Sequence, residues 1–235
     1  MKTLLGGIAV LIVCIVGFWM VAYPRAIVNV RLTIEVDTPE GVKTGASVSQ
    51  LGFSLEPAIG TRGYSWGLMK GEAVAVDLGP RGTLYALLTW PGKTGFPEGG
   101  SSEFPIVFMK LLAPALWRAA KDRAFIAGIR GVTGKTEIPP QMYPVMVRFG
   151  DEKVPQSVRA VAPSDLASAF GSGVTLKRVI LETTTALVTD FISSQLSWVP
   201  RFYEMQLDGD KYETILAKNK LANSLTSGAF KAGSK

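Results

Sequence analysis

The chain has 235 residues, with 25 Lys plus Arg against 19 Asp plus Glu for a formal net charge of +6, one Cys and no His. Without histidine there is no Ser-His-Asp or Cys-His activation and no His-ligated metal, and a lone cysteine closes no internal disulfide and builds no thiolate metal site. A hydrophobic fraction of 47% with only 19% charged residues, against about 25% charged in average soluble chains, points to part of the chain sitting in lipid.

That part is the stretch from Leu4 to Tyr23, twenty residues without a formal charge. At about 1.5 Å per residue it matches the ~30 Å of a bilayer hydrocarbon core. Trp19 and Tyr23 lie near its end and Pro24 with Arg25 follow, as at a membrane interface. Basic charge is nearly balanced across the span, with Lys2 before it and Arg25 and Arg31 after it. A short basic head before a long apolar run reads as an uncleaved signal anchor with the remaining chain outside the cytoplasm. Val21-Ala22-Tyr23 and Pro24-Arg25-Ala26 are poor cleavage sites, and Leu11-Ile12-Val13 ahead of Cys14 lacks the small residue that a lipoprotein signal needs.

After the span, residues 28–37 alternate apolar and mostly polar side chains, the period of a half-buried strand. Thr38-Pro39-Glu40-Gly41 is a turn, and residues 46–53 return antiparallel. A second hairpin is expected from residues 71–78 and 83–90 around Gly79-Pro80-Arg81-Gly82. Residues 91–102, with four Gly and two Pro, form a loop and the best internal boundary. Residues 106–129 read as helix divided at Pro114. Residues 143–149 and 174–183 read as strands, with a short helix over 164–170 stopped by Gly171. Asp210 with Glu213 starts a last helix that runs to about Leu225. The domain plan is an anchor over 1–25, a β-rich part over 26–90, a loop over 91–104 and an α+β part over 105–235, which can belong to the same domain. The fold class expected is α+β: an N-terminal transmembrane helix, then a mostly antiparallel β-rich domain with a few helices.

Motif strings in this chain have plain readings. Gly131-Val132-Thr133-Gly134-Lys135-Thr136 ends like a phosphate loop, but Ile129 stands where the first glycine belongs and Pro139-Pro140 forbids the helix that should follow. Asp208-Gly209-Asp210 starts like a calcium loop, yet Glu213 and Asn219 occupy the positions that need Gly and Glu. No S-x-x-K occurs. Between residues 110 and 135 the basic side chains Lys110, Arg118, Lys121, Arg123, Arg130 and Lys135 face only Asp122. Such a region attracts anionic surfaces or acidic partners, unless it is simply a solvated helix face. No nucleic-acid motif accompanies it. Trp198, Phe202 and Tyr203 pack beneath the last helix or mark a partner contact.

Met146-Val147-Arg148-Phe149-Gly150-Asp151, Pro163-Ser164-Asp165-Leu166-Ala167-Ser168-Ala169-Phe170-Gly171 and Leu207-Asp208-Gly209-Asp210-Lys211-Tyr212-Glu213-Thr214-Ile215 resemble uncharacterised, envelope-targeted proteins of alphaproteobacteria. So do Ala217-Lys218-Asn219 and Leu221-Ala222-Asn223-Ser224-Leu225, and more faintly residues 33–47. The resemblance implies a bacterial origin and an envelope setting and transfers no catalytic residue. The expectation is a single-pass inner-membrane protein whose periplasmic domain has a binding or structural role. Its partners are the membrane and an envelope protein, without nucleic acid, and no cofactor, metal or catalytic residue is assigned. The alternative is a histidine-independent hydrolase using carboxylates or a Ser-Lys pair.

Overall fold

The computed structural model describes residues 12–14, 17–18, 22–56, 63–91, 97–98, 103–119, 122–214 and 216–233. Its frame is a long antiparallel hairpin, β1 (Arg25–Thr38) and β2 (Gly41–Glu56), in register from Arg25 opposite Ser54 to Thr38 opposite Gly41. Gly41, at φ +114°, supplies the turn that a side chain would strain. Strand β3 (Gly63–Glu72) pairs on the far side of β2. Strands β4 (Val74–Asp77) and β5 (Thr83–Ala86) make the second hairpin, and β6 (Trp90–Pro91) pairs with β7 (Pro97–Glu98).

Helices α1 (Glu103–Leu112), α2 (Pro114–Arg118) and α3 (Arg123–Arg130) follow. Then come β8 (Lys135–Glu137), β9 (Met146–Phe149), β10 (Val158–Ala160), α4 (Leu166–Phe170) and β11 (Thr175–Thr183). Short helices α5 (Ile192–Gln195) and α6 (Lys220–Ser224) and the strand β12 (Lys231–Ala232) complete the described chain. One sheet has the order β12-β3-β2-β1-β11-β8 and a second the order β10-β9-β5-β4.

The even-numbered residues of β1, from Ala26 through Val30 and Ile34 to Val36, are buried in the first core. That core fills the space between the six-stranded sheet and the layer formed by the second sheet and helices α1 and α3. Phe53 meets Phe108 at 5.9 Å and Phe125 edge-on at 6.3 Å. The two sheets touch where β2 has no side chain: a Cβ on Gly45 would lie 2.1 Å from the carbonyl oxygen of Ala75. The opposite face of the second sheet, with Tyr85, Val147, Phe149 and Val158, carries a second core under the C-terminal segment. Trp198 stands edge-on to Phe149 and Phe230 there, so it is a packing residue.

Because the C-terminal segment has little regular structure, side chains hold it in place. The buried Glu72 carboxylate accepts the backbone N–H groups of Phe191 (2.6 Å) and Ile192 (2.8 Å) at the start of α5. The Trp198 indole donates to the Glu152 carbonyl, and Asn219 donates to the carbonyls of Gln156 and Val158. Arg148 and Arg81 donate to the last carbonyls of α4, Ala169 and Phe170, where a helix end favours cations.

Several expectations need correction. The chain is a β-rich, antiparallel two-sheet protein with few helices, and no helix of the described residues is long and apolar enough to cross a membrane. The longest, α1, has ten residues, half of what a ~30 Å core requires. Most of the stretch from Leu4 to Tyr23 lies outside the described residues. Against the expected transmembrane helix, signal anchor and single-pass inner-membrane location with a periplasmic domain stands this lack of a spanning helix among the described residues. The final helix expected from Asp210 is only Lys220–Ser224, because Asn219, not Asp210, caps it. The helix over 106–129 is three pieces, broken at Ala113 before Pro114 and again before the Asp122 cap.

Replacing Glu72 with Ala leaves two buried N–H groups without their acceptor. The expected loss is about 2–3 kcal/mol in urea unfolding, against less than about 0.5 kcal/mol for the exposed Lys153→Ala.

Candidate binding site

The odd-numbered residues of β1 face away from the core, and no layer of the described residues covers this outer face. Across it run ion pairs in register: Arg31 with Glu182 at 2.7 Å, Lys135 with the same Glu182 at 3.4 Å, and Arg178 with Glu35 through a two-pronged contact of 2.8 and 3.0 Å. Hydrogen bonding to Arg31 holds the Glu182 carboxyl below its usual range, and Arg178 does the same for Glu35. At the hairpin end Arg81 brings Glu40 down to about 2.

At the other end of this face the sheet is notched. Strand β1 starts at Arg25, but its partner β11 pairs with it only from Val30 upward. Past Thr183 the chain turns away, fastened by the Thr184 N–H to the Asn29 carbonyl (2.9 Å) and by the Asn29 amide to the Ala186 carbonyl (3.0 Å). The far wall is the loop from α3 to β8, with Val132 and Thr133, fixed where Gly134 exchanges main-chain and hydroxyl hydrogen bonds with Thr183. Arg130 reaches across and donates to the Arg25 carbonyl. The resulting open cleft has a volume of about 650 Å³, with Arg31, Arg130, Glu182 and the run Thr183 to Thr185 in its lining. Ile27, 54% exposed, lines it and is shared with a smaller groove of about 330 Å³ lined by Gly67 and by Met69, whose side chain lies over Gly52.

Of the six basic residues singled out from the sequence, the fold brings two to the notch: Arg130 at its wall and Lys135 on Glu182. Lys110 sits over the Trp117 ring at 5.6 Å, Arg118 and Arg123 are exposed on the helical layer, and Lys121 lies outside the described residues. The charge count missed Arg31, which lines the site, and Arg25, whose carbonyl holds Arg130, both from the other end of the chain. Their signal was the polar half of the β1 alternation. Lys135-Thr136-Glu137 is a strand, so the phosphate-loop string has no helix behind it. Asp208 accepts the Asp210 N–H in a tight turn around Gly209.

Catalytic arrangements are weak by comparison. No group of three or more His, Cys, Asp or Glu side chains able to hold a metal occurs among the described residues. Every carboxyl whose pKa is displaced is displaced downward, by a cation or a hydroxyl, which is the wrong direction for a general acid near neutrality. Among the described residues one Ser-Lys contact occurs: the Lys231 ammonium donates to the Ser193 hydroxyl at 3.0 Å. It also forms an ion pair with Asp190 at 2.5 Å. Together the two contacts fasten β12 to the start of α5 and the residues just before it. No protein-family model, curated protein or solved structure matches the chain.

Two measurements follow from this electrostatic layout. The stability supplied by Glu35, Glu182 and Glu40 is complete above the unfolded carboxyl value of 4.5 and is lost as pH falls through their lower folded values, to about 2 for Glu40. Tyr85, buried and donating to Glu152, titrates well above its unfolded value of 10.0, so stability also falls as pH rises past that value. With no histidine, urea midpoints should be flat from roughly pH 6 to 8, should drop at both extremes, and should drop less steeply below pH 4.5 in Arg178→Leu. A fluorophosphonate probe should leave Ser193 unlabelled at neutral pH; stoichiometric labelling would show a working Ser-Lys nucleophile.

Proposed function

We propose that this chain is a binding protein whose ligand is acidic and is held in the notch beside β1. The observation that carries this is the charge of the notch: Arg31 and Arg130 line it with a single carboxylate, Glu182, on which Lys135 also rests. Glu182 is already shared by two of those cations, so the remaining positive potential is available to an incoming anion. Arginines present forked donors to carboxylates and phosphates, and the neighbouring threonine hydroxyls add neutral donors. The adjoining Ile27, Gly52, Gly67 and Met69 offer apolar contact beside the charge. The resemblance of the 146–151, 163–171 and 207–215 stretches to envelope-targeted proteins favours a role in the bacterial envelope and adds no chemistry.

Fluorescein-labelled hexaglutamate, followed by anisotropy at low ionic strength, tests the reading with hexalysine as the opposite-charge control. The acidic probe should bind and hexalysine should not, and added salt should weaken binding. Arg130→Glu should reduce affinity at least about tenfold, or 1.4 kcal/mol, while Arg118→Glu, away from the notch, should leave it within about twofold. Equal affinity for both probes, or loss with Arg118→Glu alone, overturns it.

A further inference from the structure

The notch has a second property that its charge does not explain, which is an unpaired length of main chain. In an antiparallel strand, successive residues turn their N–H and C=O groups to opposite neighbours. The Pro24 carbonyl accepts the Leu55 N–H on the β2 side, whereas the carbonyls of Arg25 and Asn29 accept Arg130 and Thr184 on the other side. Ile27, between Arg25 and Asn29, therefore turns its N–H and C=O into the notch, and neither has a partner among the described residues. The Arg130 guanidinium stands where the next donor of a neighbouring strand would stand. Unpaired main chain at the margin of a sheet is a template for another strand.

We propose, on the reading of the notch as a binding site, that its ligand is an extended acidic peptide segment of a partner protein, added to the sheet as a short strand alongside residues 26–28, between Thr184 opposite Asn29 and the Arg130 guanidinium at Arg25. The segment continues the line of β11, which ends at Thr183, and exchanges two main-chain hydrogen bonds with Ile27, the arrangement of β-strand addition. Side chains along such a strand alternate between faces. The residue opposite Ile27 then lies on the outer face, next to Ile27 and the groove lined by Gly67 and Met69, and is apolar. Beyond the paired stretch the segment leaves the ladder over the outer face, where acidic residues on either side meet Arg130 at one end and Arg31 at the other. Charge complementarity selects an acidic segment over a basic one, and the main-chain pairing selects a peptide over a simple anion. The cleft volume of about 650 Å³ is within the range of ligand pockets, about 300–1,000 Å³, and suits a short segment rather than a folded domain.

The test uses the whole chain and the acetylated peptide Glu-Thr-Val-Thr-Glu, with three comparisons. These are the same peptide N-methylated at its central Val, its Lys-for-Glu counterpart, and inorganic phosphate. Amide exchange is followed at Ile27 by NMR. The acidic peptide should bind and slow exchange of the Ile27 amide at least about tenfold, and N-methylation should weaken binding at least about tenfold. Phosphate should leave Ile27 exchange unchanged. Equal affinity of the methylated and unmethylated peptides overturns strand addition while leaving the acidic-ligand reading intact. Equal binding of the Lys peptide with Ile27 protected overturns the acidic identity while leaving the strand. Ile27 protection that grows with protein concentration in the absence of peptide assigns the notch to a second copy and overturns the proposal. So does the absence of acidic-peptide binding up to about 1 mM.

Discussion

The alternation of strand β1 is the constraint on which the rest of the structure depends. Its inward residues, Ala26, Val28, Val30, Leu32, Ile34 and Val36, are all at most 9% exposed, and burying each larger one contributes about 1.5–3 kcal/mol. A slip of one residue against β2 or β11 would exchange this entire set with Arg31, Glu35 and their neighbours. The ion pairs of the outer face do not rival burial in energy, since half-exposed pairs are worth about 0–1 kcal/mol each. They act on register: Arg31 meets Glu182 and Glu35 meets Arg178 only in the observed alignment, which a bulge at Glu35 and Val36 adjusts.

From this strand the two cores are built outward, and so is the notch. Strand β1 has fourteen residues and β11 nine, so the longer strand must run on without a partner at one end. At the hairpin end the excess is small. At the other end it leaves residues 25–29 beside a loop rather than a strand, and the chain after Thr183 is diverted by the Asn29 side chain. The same mismatch in length produces both the open main chain and the cleft into which it faces.

How much of this was legible in the sequence depended on how local the cause was. The hairpins around Gly41 and around Gly79 to Gly82 are visible because turn residues and alternation coincide within a few positions. The strand over 174–183 was read within one residue of Thr175–Thr183, again from local composition. Strand β3 was missed, since Gly63, Gly67 and Gly71 weaken its strand signal and its pairing with β2 is a tertiary fact. The short strands β8 and β12 are likewise defined by neighbours rather than by their own composition. The helix expected from Asp210 failed because an acidic start outweighs nothing when the buried Asn223 binds the main chain of Tyr212 and Thr214 instead. The charge cluster at 110–135 was a real local feature, yet the site combines only its end, Arg130 and Lys135, with arginines about a hundred positions away, which no local window sees.

The composition also shapes what kind of site this can be. Acid–base chemistry near neutrality needs a group whose protonation changes there. Histidine is absent, and the carboxyls with displaced pKa values are pulled further from neutrality by Arg31, Arg81 and Arg178. What the notch offers instead are donors of fixed charge, guanidinium groups that stay protonated, and main-chain groups that do not titrate. Recognition built from those parts is insensitive to pH across the neutral range and is weakened by salt only through its charged half. The main-chain half is indifferent to side-chain identity, so selectivity among acidic segments falls to the apolar position beside Ile27. There Gly67 leaves room, and Met69, whose side chain lies over Gly52, sets the limit.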